Sequence, residues 1–344
     1  MPLNISRLEK LQTLLVASKI DIYIICNPLD LRYFLDQEIE GVLIVIQNKS
    51  HVYLITDGRY QQLLQSENKR IKIIMARKGY VNELKKLLTR YRGRKKIGLE
   101  GTTNLETYLK LKNEFHNLSS NFLVRELRKI KDSEEITRIK KAIEITKEAI
   151  STLRNKLRNR EEKEIKAYLE FQMQSLGADG SAFVPIVASG VNSAYPHAFP
   201  TEKKISRFLL LDCGAKYRGY CADLTRMFFW DKIPKVIKRA YEVITEAKQL
   251  GLSLIKEGEI ISRLVTKVEN YMKKKGFNEN ICHGLGHGVG LEIHEPPFVN
   301  RYNQEPLKSG MVITIEPGLY FPGVGGVRCE DVILVEKNKG VILE

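Results

Sequence analysis

Asp132 and Glu135 form a capping-box pattern at the head of an apolar stripe: Ile136, Ile139, Ala142, Ile143, Ile145, Ala149 and Ile150. Cap and stripe together predict one long amphipathic helix. The character of the chain changes at this helix. Before it, short apolar runs alternate with segments of helical spacing; after it come glycine-, histidine- and acid-rich strands broken by further helices. At 344 residues the chain exceeds what one hydrophobic core organises, so two domains are expected. They are placed at residues 1–126 and 127–344, in an α+β chain.

In the first part, Ile20–Cys26, Val42–Ile46, Val52–Ile55, Ile71–Met75 and Ile97–Leu99 have strand length and β-branched content. Arg59–Leu64, Asn82–Tyr91 and Leu105–Phe115 have helical spacing, which makes this an α/β domain. Neither a dinucleotide fingerprint nor a phosphate loop occurs. In the second part, helices are expected at Glu162–Leu176, closed by Gly177, and at Lys235–Ile255 and Glu259–Lys275.

Composition narrows the setting. Hydrophobic residues make up 43%, enough for sizeable cores, and no apolar run reaches the roughly 18 residues of a membrane span. Met1–Lys10 is charged and amphipathic rather than signal-like, so a soluble, cytoplasmic protein with no membrane partner is expected. The net charge is +15. Its local clusters, Arg92–Lys96 and Lys273–Lys275, lack interleaved aromatics, and the other basic residues have acidic neighbours. Solvated helix faces account for them without a specific nucleic-acid partner. Of five cysteines, Cys213, Cys221, Cys282 and Cys329 lie near acids or histidines. No C-x2-C pair exists, so buried reduced thiols are expected rather than a thiolate metal site.

The acids of the second part stand in apolar company. Asp212 ends the run Leu209-Leu-Leu-Asp212, and Asp223 lies in Gly219-Tyr-Cys-Ala-Asp223-Leu-Thr-Arg226. Gly214–Gly219 between them reads as a turn, and a hairpin there brings two carboxylates together. Buried carboxylates repel one another unless a cation compensates them. Glu316 closes Met311-Val-Ile-Thr-Ile-Glu316, and Arg328 and Glu330 share one face of another strand at i, i+2. His283, His287 and His294 fall within a single glycine-spaced stretch. Four acids with a histidine form an oxygen-rich set suited to Mn²⁺, Co²⁺ or Zn²⁺. Shared carboxylates can bridge two ions about 3.5 Å apart.

These segments resemble a known family. Ile186-Val-Ala-Ser-Gly-Val-Asn-Ser-Ala-Tyr-Pro-His197, Asp212–Arg226, His283–Pro297, Ile315-Glu-Pro-Gly and Val327-Arg-Cys-Glu-Asp331 are similar to the motifs of the pita-bread metallopeptidases. That family comprises methionine aminopeptidases, proline-specific aminopeptidases and prolidases. Asn27–Phe34 and Leu54–Tyr60 resemble the creatinase-type N-terminal domain, which favours the proline-specific members. The resemblance implies a pita-bread domain behind a smaller creatinase-type domain, and hydrolysis of the bond preceding proline, in Xaa-Pro dipeptides above all. It implies two divalent ions per chain, Mn²⁺ or Co²⁺ in the first place and Zn²⁺ otherwise, and a homodimer acting on small proline-containing peptides.

Position by position, the resemblance makes Asp212 a ligand of one ion and Asp223 and Glu330 bridges, with His287 and Glu316 on the second ion. Glu316 is the expected general base for a water activated by the ions. His294 is expected at the scissile carbonyl oxygen and His197 beside the proline. Phe298 stands close after His294-Glu-Pro, where several dipeptide-cleaving members carry an arginine for the substrate carboxylate; Arg301 and Arg328 are the candidates to replace it. An Xaa-Pro aminopeptidase acting on longer peptides and a non-catalytic binding protein of the same fold are the alternative readings.

Overall fold

A computed structural model describes residues 3–62, 69–91, 95–153, 157, 159–230 and 232–344. The chain divides into two compact units, Met1–Arg128 and Lys129–Glu344.

The first unit is built on a six-stranded mixed sheet, ordered Ile71–Met75, Val52–Thr56, Val42–Ile46, Ile22–Ile25, Ile97–Glu100, Leu118–Asn121. Val42–Ile46, Ile22–Ile25 and Ile97–Glu100 are buried along their whole length, which is why they read as continuous apolar runs rather than alternating ones. Three helices escape the sequence reading, the short Leu123–Arg128 among them. Ile5–Ala17 is capped by Asn4, whose side chain accepts from the Arg7 N–H at 3.1 Å. Pro28–Leu35 starts on Asn27, which accepts from the Leu29 N–H at 2.8 Å, with proline in its first turn. Of the expected helix Arg59–Leu64, Gly58–Tyr60 forms only a short 3₁₀ turn, and residues 63 and 64 lie outside the described residues, as do 92–94 of the basic cluster. A buried polar cluster closes this unit: Tyr23 donates to Glu100 at 2.7 Å and Arg128 to Asp30 at 2.8 Å. Burial drives the Glu100 carboxyl up to about 7.

In the second unit the capping box is present. Asp132 accepts from the Glu135 N–H at 2.9 Å, and Glu135 from the Asp132 N–H at 3.0 Å. The helix it heads, Ser133–Leu153, packs with Glu162–Ser175. Their Ile145, Ala149, Leu153, Leu169 and Met173 bury against Val187, Leu209 and Leu211 of a three-stranded sheet, Leu224–Phe229, Phe208–Cys213 and Ile186–Ser189. A second helix pair, Lys235–Leu254 and Ile261–Lys274, buries Ile244, Leu264, Val265 and Val268 against Ile313, Ile315 and Ile333. Those residues belong to a five-stranded sheet ordered Glu295–Val299, Gly286–Gly288, Val312–Ile315, Asp331–Val335, Gly340–Ile342. Each sheet thus has one face sealed by helices, leaving the other face to carry polar chemistry.

The thiols follow the same division. Cys213, Cys221 and Cys329 are buried fillers, and burial pushes the Cys329 thiol up to about 12. Cys282 departs from the expectation and is exposed. No helix among the described residues is long and apolar enough to cross a membrane.

Candidate metal centre

Asp212 is the penultimate residue of strand Phe208–Cys213, and Asp223 directly precedes the strand Leu224–Phe229 that pairs with it, Thr225 opposite Asp212. Gly214 makes this approach feasible, because a Cβ there would lie 1.8 Å from the Ala222 carbonyl oxygen. Glu316 and Glu330 come together by register: Ile315 pairs antiparallel with Asp331, so the next residues outward, 316 and 330, stand side by side. His287 enters from the short strand Gly286–Gly288, next to Val312–Ile315.

Donor atoms of Asp223, His287 and Glu330 lie within 4.8 Å of one another. His287 Nε2 is 3.5 Å from Asp223 Oδ2 and 3.4 Å from Glu316 Oε1. Asp212 joins through Arg328, whose Nη2 donates to its Oδ2. The same guanidinium donates through Nε to Thr225 Oγ1 at 3.1 Å, and through Nη1 to Tyr320 at 2.6 Å and the Pro196 carbonyl at 3.1 Å. Thr225 in turn donates to Glu330 Oε2 at 2.7 Å. Alternation along these strands sorts the charges. Arg328 and Glu330 face the cavity, whereas Asp331 faces away and binds Arg226 and Lys248.

The electrostatics identify what the cluster can hold. Burial, reinforced by the neighbouring carboxylates, pushes Asp223 and Glu330 well above the usual carboxylate range. Glu316 is driven up to about 7, by burial and then by Asp212, against the opposing pull of Arg328. Burial, with the charge of His294 behind it, depresses His287 to about 4, so its ring is neutral at neutral pH. With Nδ1 donating to the Gly288 carbonyl at 3.1 Å, Nε2 turns a lone pair toward two carboxylate oxygens. That arrangement is repulsive without a cation between them. Asp212 Oδ1 and Asp223 Oδ1 are buried without a hydrogen-bond partner among the described residues. Lone pairs, orphaned oxygens and like charges are all satisfied by divalent cations, and the residues present fit such ions.

The centre floors a cavity of about 490 Å³. His197, His283 and His294 line it, the ring of His294 lying 4.3 Å from that of His287. Burial lowers the pKa of His294. The remaining wall is largely apolar, with Phe183, Val184, Phe199, Ile293 and Phe298. Phe298 is 47% exposed there.

Arg301 is the exception among the expected site residues. It does not line the cavity; its side chain is 49% exposed and lies 3.3 Å from Glu269. The reason is local. Asn300 Oδ1 accepts from the backbone N–H groups of Tyr302 and Asn303 at 3.0 and 3.1 Å, turning the chain away directly after strand Glu295–Val299. Arg328 does line the cavity, but its donors already serve Asp212, Thr225, Tyr320 and Pro196. Sequence reasoning gave no role to Tyr320, Thr225 as a donor, or His283. The last is held by Tyr320 at 3.0 Å and the Gly284 carbonyl at 2.7 Å.

Two family models match the chain. Residues 137–337 match the model of metallopeptidase family M24, and residues 7–130 that of the creatinase/prolidase N-terminal domain. An Xaa-Pro dipeptidase of Pyrococcus furiosus is 33% identical over 341 residues, 96% of this chain and 95% of that one. The solved structure of an Xaa-Pro dipeptidase from Bacillus anthracis superposes with a TM-score of 0.92 at 32% identity, covering 98% of this chain and 96% of that one. An X-Pro aminopeptidase from Thermotoga maritima gives a TM-score of 0.83 at 32% identity, covering 94% and 95%.

Proposed function

The chain belongs to metallopeptidase family M24, and from that premise we propose that it hydrolyses Xaa-Pro dipeptides at the carboxylate–histidine centre. The observation that carries the site assignment is the neutral His287 facing buried, mutually repelling carboxylates, two of whose oxygens have no partner among the described residues. The substrate class follows the relatives named above, which match along nearly the whole chain.

Asp212, Asp223, His287, Glu316 and Glu330 would hold two divalent ions, Mn²⁺ or Co²⁺ before Zn²⁺. Such ions supply Lewis acidity, polarising the scissile carbonyl and acidifying a water at neutral pH. Glu316 at the cavity floor accepts the proton of the attacking water and returns it to the departing nitrogen. That return is obligatory, because an amide nitrogen departs as a neutral amine only once it is protonated. His294 donates to the carbonyl oxygen as it gains charge, and His197 flanks the proline ring. Thr225 and Arg328 orient the carboxylates: Thr225 occupies one oxygen of Glu330 and Arg328 one oxygen of Asp212, leaving the others for the ions. We assign the protein to the cytoplasm as a homodimer.

Cleavage of Xaa-Pro from the front of longer peptides is favoured by one observation. Neither Arg301, turned to Glu269, nor Arg328, committed to four partners, offers a guanidinium to a terminal carboxylate. Rates on an Xaa-Pro dipeptide, its C-terminal amide and an Xaa-Pro-Yaa tripeptide, with added Mn²⁺ or with chelator, test both readings. Loss of all three activities on chelation is expected; chelator-indifferent hydrolysis overturns the metallopeptidase assignment, and a tenfold preference for the tripeptide replaces the dipeptidase reading.

A further inference from the structure

A second group of charges in the catalytic unit lies out of solvent but outside the donor set. Lys131 Nζ is 2.8 Å from Glu295 Oε1, with side chains 0% and 3% exposed. Neither residue lines the cavity, so neither touches a substrate. Burying an ion pair yields little net stability, since desolvation offsets most of the attraction. What this pair does fix is geometry.

Glu295 directly follows His294. Its second oxygen accepts from the Glu292 N–H at 3.3 Å. The chain closes so tightly over the carboxylate that a Cβ on Gly290 would lie 2.3 Å from Oε1. Gly290 itself donates to the Glu292 carbonyl at 3.1 Å and accepts from the Cys221 N–H at 2.8 Å, two residues before Asp223. One carboxylate therefore fastens the turn that joins His287 to His294, and the Gly290 carbonyl of that turn accepts from the Asp223 segment. The lysine end is equally fixed. The Lys131 N–H donates to the Gly310 carbonyl at 2.8 Å, and Ile130 forms a β-bridge with Met311, at the root of the strand Val312–Ile315 that leads to Glu316.

We propose that Lys131 is a positioning residue for the peptidase reaction: through Glu295 it sets the place of His294 relative to His287 and the carboxylates. This rests on the metallopeptidase reading, in which His294 meets the scissile carbonyl. The Lys131 side chain is a strut between the base of the Glu316 strand and the histidine turn. Cutting or shortening the strut releases the turn while leaving the donor set in place.

Two changes separate positioning from bulk stability. Glu295→Asp keeps both charges but draws the carboxylate back by one methylene. Lys131→Met with Glu295→Gln removes both charges, so none is left buried alone. Each is compared with wild type by thermal unfolding, by calorimetric titration with Mn²⁺, and by kcat and KM on an Xaa-Pro dipeptide. Both variants are expected to bind Mn²⁺ within threefold of wild type, with KM within threefold and kcat lowered tenfold or more. His294→Ala supplies the readout that a merely structural role would not move. Its effect on kcat should shrink at least fivefold in the Glu295→Asp background, as coupled residues require. A Glu295→Asp variant that keeps kcat within threefold, or a His294→Ala effect of equal size in both backgrounds, overturns the proposal. Wild-type protein that cleaves no Xaa-Pro substrate with Mn²⁺ present overturns the underlying reading instead.

Discussion

Removing the metals should make stability fall as pH rises, and restoring them should reverse the trend. In the ion-free protein Glu316 is held up to about 7 against an ordinary 4.5, chiefly by burial. A carboxyl whose folded pKa is raised binds protons more tightly in the folded state. Its contribution is therefore fully present below the unfolded value and lost as pH climbs through the folded one. The shift corresponds to roughly 3 kcal/mol, lost between about pH 4.5 and 7. Asp223 and Glu330 are displaced in the same direction and deepen the loss. At roughly 2–4 °C per kcal/mol for a domain of this size, melting should drop on the order of 10 °C across that window. Divalent ions bind only the deprotonated donors, so with Mn²⁺ present the dependence inverts. At a hundredfold excess over Kd each site adds about 2.7 kcal/mol. Thermal unfolding at pH 5, 6, 7 and 8, with chelator or with Mn²⁺, reads the difference directly. The two curves should diverge steadily toward alkaline pH, and Glu316→Gln in chelator should lose part of the downward slope. Parallel curves would show that no cation compensates these carboxylates, and the metal assignment would fail with them.

Four further outcomes follow from named residues. Glu316→Gln, which keeps size but removes the proton acceptor, should lower kcat by a factor of about 10² or more while the protein stays folded; near-normal turnover excludes Glu316 as the base. Arg301→Ala should leave the ratio of dipeptide to dipeptide-amide hydrolysis unchanged within about twofold, because Arg301 pairs with Glu269 outside the cavity. Phe298→Arg should raise that ratio about tenfold or more, the worth of one charged hydrogen bond of roughly 1.5–3 kcal/mol; the opposite pattern puts Arg301 back at the substrate. In the first unit, Glu100→Gln should relieve a cost of roughly 3 kcal/mol above pH 7 and nothing below about pH 4.5, since burial holds Glu100 near 7. Denaturant unfolding at pH 4.5 and 8 checks it, and an equal effect at both pH values refutes the buried-charge account.

The site was more legible in the sequence than the helices around it, and the reason is physical. A carboxylate inside an apolar strand is an anomaly visible in a single line of sequence, because nothing but a cation or a strong donor makes it tolerable. Asp212, Glu316 and Glu330 betray themselves in this way. The helices Ile5–Ala17 and Pro28–Leu35 offered only quiet signals, Asn4 as a cap and Asn27-Pro28 as a cap followed by a first-turn proline. Arginines are harder still. Arg226, Arg301 and Arg328 look alike in sequence, but each guanidinium goes wherever the fold brings an acceptor. Strand alternation sends Arg226 to Asp331, away from the cavity, and a side-chain turn at Asn300 sends Arg301 to Glu269. Arg328 reaches Asp212, Thr225, Tyr320 and Pro196, partners drawn from separate segments that only the tertiary fold assembles. Acids in apolar strands can therefore be singled out from local pattern, whereas the partner of a cation is a property of register. For the same reason Arg301 does not stand where a carboxylate-binding role would need it: it lies three residues beyond Phe298 in sequence, and the turn at Asn300 takes it out of the cavity that Phe298 lines.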